Sequence, residues 1–217
     1  MSPETAKAQE TKAKLLQGAL RTLTEQGIAK TSARTIAATA GVNQALVFYH
    51  FGSVDELLAA ACRYGAEQSV SRHRDRLAAV SSLTELLAVG RRIHEEERAG
   101  GHVALLGQLL AGAQTHAVLG PATAAGLELW IAEIEGVLTR VLAGTPLGEY
   151  ADPPGLARAV AASFVGIELY EGADPAGATA ALDALEQLGF LLGALEELGP
   201  VAQRAVRQYL RRASARR

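Results

Sequence analysis

Aromatic side chains are concentrated in one short stretch of the chain, AGVNQALVFYHF at residues 40–51. Phe48, Tyr49 and Phe51 fall within four positions, together with His50, although the 217 residues include only four Phe, five Tyr and one Trp. Gly41 precedes them and can adopt the positive φ of a tight turn. The pattern predicts a short helix after a turn, and its aromatic residues favour docking of that helix onto a partner.

Motifs for catalysis and for metal binding are missing from the sequence. The run HEEER at residues 94–98 lacks the second histidine of a zinc-protease helix. Cys62 is the only cysteine and lies in an alanine-rich segment, which indicates a packing role. No nucleophile elbow, phosphate loop or dinucleotide-binding glycine motif occurs. We therefore expect no enzymatic activity, no cofactor and no metal site.

The predicted helix at residues 44–51 has an apolar outer face. At 100° per residue, Val47 and Phe51 would pack inward, so that the opposite face carries Ala45 and Tyr49. The flanks and the rim of this face carry Leu46, Phe48 and Gln44. Such a face fits the major groove of DNA, where glutamine reads adenine edges and apolar groups contact thymine methyls.

The elements that position this helix are predicted to be helices as well. Apolar residues make up 49 % of the chain but aromatic residues only 5 %, so alanine, leucine and valine must build the core. Alanine and leucine favour helix, and no segment shows the two-residue alternation of a strand. Glycine- and proline-rich separators delimit helices at about residues 10–26, 33–40, 44–51, 54–80, 82–99, 102–117, 121–143, 154–172, 175–197 and 200–215. The sequence predicts an all-α fold of about nine to ten helices.

Charge is distributed unevenly along the chain. Residues 1–60 carry six lysines and arginines against five acidic residues, whereas residues 77–200 carry five arginines against sixteen acidic residues. The final stretch, residues 201–217, holds six arginines and no acidic residue. A basic end on an acidic body predicts a polyanion partner, and ordinary solvated surface is the alternative. A polar N-terminus and the lack of a run of about 18 apolar residues predict a cytoplasmic protein without membrane contact.

Residues 31–58, TSARTIAATAGVNQALVFYHFGSVDELL, resemble the signature of TetR-family transcriptional regulators. The ordered matches are Thr31, Ile36, Ala37, Ala40, Gly41, Val42, Tyr49, His50, Phe51, Ser53 and Leu57. The resemblance covers about the first 60 residues, and the remainder matches only in helical character and length. It implies a three-helix, helix-turn-helix DNA-binding head at residues 8–60 and a larger helical ligand-binding and dimerisation domain at residues 61–217.

The resemblance also implies which residues of the second and third helices contact DNA. They are Thr31, Ser32, Arg34, Gln44, Ala45, Leu46, Phe48, Tyr49 and His50. Three positions depart from the family pattern: Leu46 replaces a hydroxyl residue, Phe48 a tyrosine and Val54 a lysine. Each lost contact lowers the affinity for DNA and weakens its salt dependence. Lys12, Lys14 and Lys30 are candidates to compensate for them.

A homodimer and a small-molecule effector are further implications of the resemblance. A dimer would place two recognition helices about one DNA turn, ~34 Å, apart. Its interface is expected near residues 154–172 and 175–197, whose small residues recur at three- and four-residue spacing. Candidate residues of the effector pocket are His94, Leu105, Gln108, Leu109, Trp130, Ile134, Phe164 and Glu168. His94 is expected to be solvated, and Glu168 to meet an arginine, solvent or a cationic ligand.

Two hypotheses follow for the function. The first is a homodimeric repressor that a small-molecule effector releases from a palindromic DNA operator. The alternative is a helical ligand-binding or scaffolding protein whose DNA-binding head has degenerated, as the departures at positions 46, 48 and 54 allow. Specific binding of the chain to the DNA upstream of its own gene would distinguish the two.

Overall fold

Ten α-helices and no strand make up the described part of the computed structural model, residues 3–114, 117–143, 145, 147–196 and 199–214. In chain order the helices are α1 (Pro3–Gln26), α2 (Ala33–Ala40), α3 (Ala45–Phe51), α4 (Val54–Ala78), α5 (Leu83–Ala99), α6 (His102–Ala113), α7 (Leu119–Leu142), α8 (Pro153–Glu171), α9 (Pro175–Glu196) and α10 (Pro200–Ser214). A short 3-10 turn, Ile28–Lys30, joins α1 to α2. The predicted all-α architecture is confirmed.

Helix α1 begins at Pro3 rather than near Glu10, where the sequence predicted its start. Its first residues are mostly exposed, so no apolar periodicity marked them as helical. Local interactions stabilise this segment instead: Lys14 Nζ lies 2.7 Å from Glu10 Oε1, and the Thr11 hydroxyl donates to the Lys7 carbonyl. Contacts of this i, i+4 kind extend a helix beyond the part that packs against a core.

The chain forms two compact units, of which the first combines Met1–Ser71 with Glu97–Leu129. The largest fully buried side chains of its core are Leu15, Leu23, Ile36, Val47 and Leu57. Helix α6 packs against α1 within this unit, and its Leu105 and Leu109 belong to the same core. The predicted domain boundary after residue 60 stays a prediction.

The second unit combines Arg72–Glu96 with Trp130–Arg217. Helices α8 and α9 pack against each other in this unit. The buried members of their apolar cluster are Ile167, Ala178 and Leu182. Burial of this apolar surface stabilises the two helices together.

Two arginines connect helices within the second unit. The Arg140 guanidinium of α7 donates to the carbonyls of Leu77 and Val80 at 3.1 Å each, where α4 ends. Arg91 of α5 binds α9, because its Nε lies 2.7 Å from Glu186 Oε1 and its guanidinium also pairs with Asp183.

Among the described helices, none alone is long and apolar enough to cross a membrane. Helices α3 and α4 taken together reach the required length and apolar composition, but the pair is bent by 69°.

Candidate nucleic-acid interface

Helix α2 begins in a hydrogen-bonded cap. The Ser32 hydroxyl accepts from the Thr35 backbone amide at 3.2 Å, and the Ser32 amide donates to the Thr35 hydroxyl at 2.8 Å. These reciprocal bonds form a capping box. The Thr31 hydroxyl, one residue before Ser32, donates to the Gly27 carbonyl at 2.8 Å. The Ser32 hydroxyl therefore stabilises the start of α2 and the Thr31 hydroxyl the turn before it, while the contacts of both residues with DNA stay a prediction.

A glycine-centred turn joins α2 to α3. Gly41 adopts the left-handed conformation, with φ 68° and ψ 35°. The Val42 amide donates to the Ala37 carbonyl at 3.0 Å, which satisfies a carbonyl at the end of α2. On the other side, Asn43 Oδ1 accepts a hydrogen bond from the Ala45 amide at 2.8 Å. Hydrogen bonds at both ends of the turn thereby set the direction of α3 relative to α2.

Small residues allow α1 and α2 to approach each other closely. A Cβ atom at Gly18 would lie 2.8 Å from the Cβ of Ala40, closer than two methyl groups pack. Ala37 is buried nearby in the same helix as Ala40. The sequence already marks Gly18 as unusual, because a glycine inside a helix lowers its stability and is kept where another helix packs closely.

Helix α3 buries one side and exposes the other. Val47 is completely buried, while Tyr49 exposes 80 % of its surface and Phe48 exposes 49 %. Gln44 and Ala45 are exposed as well. An apolar and aromatic surface therefore faces solvent directly after the turn, on a helix that the head core holds from its other side.

Leu46 and His50, which were expected to contact DNA, are half-buried rather than fully exposed. Leu46 is half-buried and packs against the core of the first unit, because its apolar side chain gains free energy there. The half-buried His50 ring contacts Tyr49 and Phe51, with centroids 4.9 Å and 6.5 Å apart and the rings in edge-to-face orientation. Edge-to-face contacts are favourable, so these rings support one another along α3.

Positive charge around α3 is sparse. Residues 35–62 contain neither lysine nor arginine, and the nearest cation before them is the exposed Arg34. Lys14 is paired with Glu10, and its hydrogen bond and charge lower the pKa of the Glu10 carboxyl. The Arg21 guanidinium, which no motif marks in the sequence, donates to the Thr39 carbonyl near the end of α2.

Three of the predicted effector contacts lie in the first unit. Leu105 and Leu109 are buried in its core. Gln108 Oε1 accepts a hydrogen bond from the Ile28 amide at 3.2 Å. Helix α6 is thereby bonded to the turn that precedes α2, and these three side chains pack or hydrogen-bond around the helices of the head.

Three further predicted effector contacts lie together in the second unit. The expectation that His94 is solvated was wrong, since its side chain is only 3 % exposed. Its ring meets two carboxylates of α8, with Nε2 3.3 Å from Glu171 Oε2 and Nδ1 3.8 Å from Glu168 Oε1. Phe164 packs so closely on Gly90 that a Cβ there would lie 2.7 Å from Phe164 Cζ, which brings α5 and α8 together around the ring. Glu168 thus meets a histidine, and its buried Oε2 accepts no hydrogen bond from any described residue.

Trp130 and Ile134, the last two predicted effector contacts, lie on α7. The Trp130 ring stacks at a tilt on His73 of α4, with centroids 5.8 Å apart and planes at 32°. His73 is buried and its Nδ1 lies 3.7 Å from Glu96 Oε2, while Ile134 is half-buried. In the described ranges, no group of three or more His, Cys, Asp or Glu side chains could hold a metal ion.

Exposed small and apolar residues form a stripe on each helix of the α8–α9 pair. On α8 they are Ala159, Ala162, Ser163, Gly166, Leu169 and Tyr170. On α9 they are Ala184, Leu188, Phe190 and Leu191, whereas Ala181 and Gly193 are half-buried. A row of exposed apolar residues on a protein surface is a candidate interaction site.

Comparison with known proteins relates the chain to one family of regulators. Residues 15–61 match the family model of bacterial regulatory proteins of the TetR family. A structure from Rhodococcus sp., described as a TetR-family transcriptional regulator, has 20 % identity and a TM-score of 0.71, covering 83 % of this chain and 96 % of that one. A search of curated protein sequences finds no match.

Two other solved structures with this fold were determined with small molecules. FadR from Bacillus subtilis in complex with stearoyl-CoA has 17 % identity and a TM-score of 0.66, covering 80 % of this chain and 96 % of that one. The multidrug binding protein EbrR complexed with imidazole has 27 % identity and a TM-score of 0.60, covering 82 % of this chain and 93 % of that one.

The sequence match and the fold point to the same family. The matched segment, residues 15–61, contains α2, the Gly41 turn and the exposed face of α3. The similarity of fold extends over most of the rest of the chain. Residues 15–61 are therefore similar to bacterial regulatory proteins of the TetR family, and most of the chain has the fold of the solved structures named above.

Proposed function

We propose that the chain is a homodimeric repressor that binds a palindromic DNA operator in the cytoplasm and is released by a small-molecule effector. The observation that carries this proposal is the two-sided character of α3. Tyr49 exposes 80 % of its surface, whereas Val47, two residues earlier, is completely buried in the head. A helix held in this way presents its outer side chains to a major groove without loss of core packing.

The predicted DNA contacts divide into two groups by exposure. Ser32, Arg34, Gln44, Ala45, Phe48 and Tyr49 are exposed, and Thr31, Leu46 and His50 are half-buried. We assign base and phosphate contacts to the exposed group. Leu46 and His50 then serve by positioning α3, because they pack on the head core or on neighbouring rings.

Binding of the full chain to the DNA upstream of its own gene tests the proposal. Fluorescence anisotropy across a salt series should show tight binding to a palindromic segment and a decline in affinity as salt rises. Tyr49→Ala should weaken that binding at least tenfold. Tyr209→Ala on α10 is the matched control, since Tyr209 is 73 % exposed and lies outside the head. Equal binding by both variants would contradict the assigned interface.

The alternative, a ligand-binding or scaffolding protein with a degenerate head, is favoured by one observation. Phe48 is exposed without a hydroxyl that could donate to phosphate, and Val54 supplies no ammonium group at the start of α4. If the chain binds neither specific nor random duplex DNA at low salt, this alternative replaces the first proposal.

The exposed stripes of α8 and α9 support dimerisation through these two helices. Burying Leu188 and Leu191 against a second copy would remove a large apolar surface from water. Light scattering should therefore give the mass of two chains, and Leu191→Asp should shift the protein toward one chain. Val201→Asp on α10, also at an exposed apolar residue, is the control that should leave the mass unchanged.

The effector is expected to contact the second unit near His94, Phe164 and Glu168. The buried, unbonded Oε2 of Glu168 favours a ligand with a cationic or hydrogen-bond-donating group. Thermal unfolding with benzyltrimethylammonium and with benzoate tests this charge preference. The cation should stabilise the chain and Glu168→Gln should abolish that effect, whereas Glu149→Gln at an exposed glutamate should retain it.

A further inference from the structure

The face of α3 that is proposed to enter DNA carries neither arginine nor lysine, the residues that most often recognise guanine. Guanine is most often recognised by a bidentate contact of arginine or lysine with O6 and N7. Residues 35–62 contain neither residue type, and this range includes most of α2, the turn, all of α3 and the start of α4. The nearest cation before this range is Arg34, which lies on α2 rather than on α3.

The groups that α3 does expose have a different chemistry. Gln44 is exposed at the start of the helix, and its amide can pair with N6 and N7 of adenine. Ala45, Phe48 and Tyr49 expose a methyl group and two aromatic rings. Apolar groups of this kind contact the 5-methyl group of thymine, which cytosine lacks.

Other polar side chains near α3 are already engaged in the structure of the head. The Thr35 hydroxyl donates to the Lys30 carbonyl at 3.0 Å and bonds to the Ser32 cap. Asn43 Oδ1 accepts from the Ala45 amide, and Ser53 Oγ accepts from the Glu56 amide at 3.1 Å. Donation from the Thr35 hydroxyl to a base would require breaking its bond to Lys30, whereas Asn43 and Ser53 keep their N–H and O–H donors.

We propose that α3 selects A·T base pairs, with Gln44 reading adenine and with Ala45, Phe48 and Tyr49 packing on thymine methyls. The inference rests on the proposed function, since it requires α3 to enter the major groove. Because neither lysine nor arginine lies on α3, the sequence preference in this segment rests on methyl contacts and on the Gln44 amide.

Selection of bound duplexes from a random DNA library with the full chain is the first test. The recovered half-sites should carry A·T pairs in the segment that faces α3. Each thymine is then replaced by uracil, which removes only the 5-methyl group. Loss of a methyl contact should lower the affinity about fourfold at each contacted thymine, the factor expected for one buried methyl group. Uracil outside the half-sites is the control and should have no effect.

Variants of α3 assign each contact to a side chain. Ala45→Gly should abolish the effect of uracil at one thymine and leave the others unchanged. Gln44→Ala should make the chain indifferent to replacement of an adenine by 7-deazaadenine, which lacks the N7 acceptor. Half-sites with G·C pairs facing α3, or uracil without effect at every thymine, would overturn the inference and leave the regulator function intact. Recovery of no duplex at low salt would overturn both.

Discussion

Gln108 of α6 and Ile28 of the turn before α2 are joined by a hydrogen bond, with Gln108 Oε1 3.2 Å from the Ile28 nitrogen. The two residues are 80 positions apart in the chain. Gly112, one turn further along α6, also packs here, because a Cβ at Gly112 would lie 2.5 Å from Ile28 Cδ1. Helix α6 therefore supports the segment from which the helix-turn-helix begins.

Replacement of Gln108 by leucine should destabilise the chain and weaken DNA binding. The Ile28 amide would lose its acceptor in a partly buried site, which costs about 1 kcal/mol of unfolding free energy. Urea denaturation measures the stability, and anisotropy with the operator measures the affinity. Gln187→Leu, at an exposed position of α9, is the control, and a similar loss in that variant would argue against a specific role for the bond.

Replacement of Gly41 by alanine should strain the turn between α2 and α3. The left-handed conformation at φ 68° disfavours any residue with a Cβ, so the expected loss of unfolding free energy is about 1–2 kcal/mol. No atom lies within 4 Å of the added Cβ, so strain rather than a clash would be the cause. Gly41→Asn should lose less, since asparagine tolerates this conformation better. Equal losses for both variants would contradict the explanation.

Replacement of His94 by leucine should destabilise the second unit. Two carboxylates, Glu168 and Glu171, would then lie in a largely buried site without the ring between them. We expect a loss of about 2 kcal/mol in unfolding free energy, because Glu168 would lose the polar ring that faces it in a largely buried site. Adding Glu168→Gln to this variant should restore part of the loss. A double-mutant cycle without coupling would show that the ring and the carboxylates do not interact.

Cys62 should be unreactive in the folded chain at pH 8. Burial raises the pKa of its thiol from the ordinary value of 9.0 to about 11. Reaction with a disulfide reagent needs the thiolate, so the thiol should react at least about a hundredfold more slowly in the folded chain than in urea. Equal rates in both states would show that the thiol is accessible.

The same shift makes stability depend on alkaline pH. Above pH 9 the unfolded chain loses the thiol proton while the folded chain keeps it until about pH 11. The unfolded state then binds fewer protons, so the free energy of unfolding falls as pH rises, by up to about 1.4 kcal/mol per pH unit. Below pH 9 both states are protonated and the contribution is flat. Cys62→Ala should lack this part of the alkaline decline.

Local chemistry in the sequence was sufficient to predict the helices and the helix-turn-helix. Ser32, Gly41 and Asn43 act through hydrogen bonds or backbone conformation within a few residues, so their types and spacing already specify the turn. The buried Val47 and the exposed Tyr49 follow from helical periodicity. The early start of α1 was missed, because exposed helix is stabilised by side-chain pairs and shows no apolar pattern.

Contacts between distant segments were decided only by the tertiary structure. Periodicity tells which face of a helix is apolar, but it does not tell which helix covers that face. His94 was expected in solvent beside its glutamates, yet packing of Phe164 on Gly90 closes α5 and α8 around it. Gln108 bonds to Ile28 for the same reason, since the packing of α6 on α1 brings together residues that no local pattern connects.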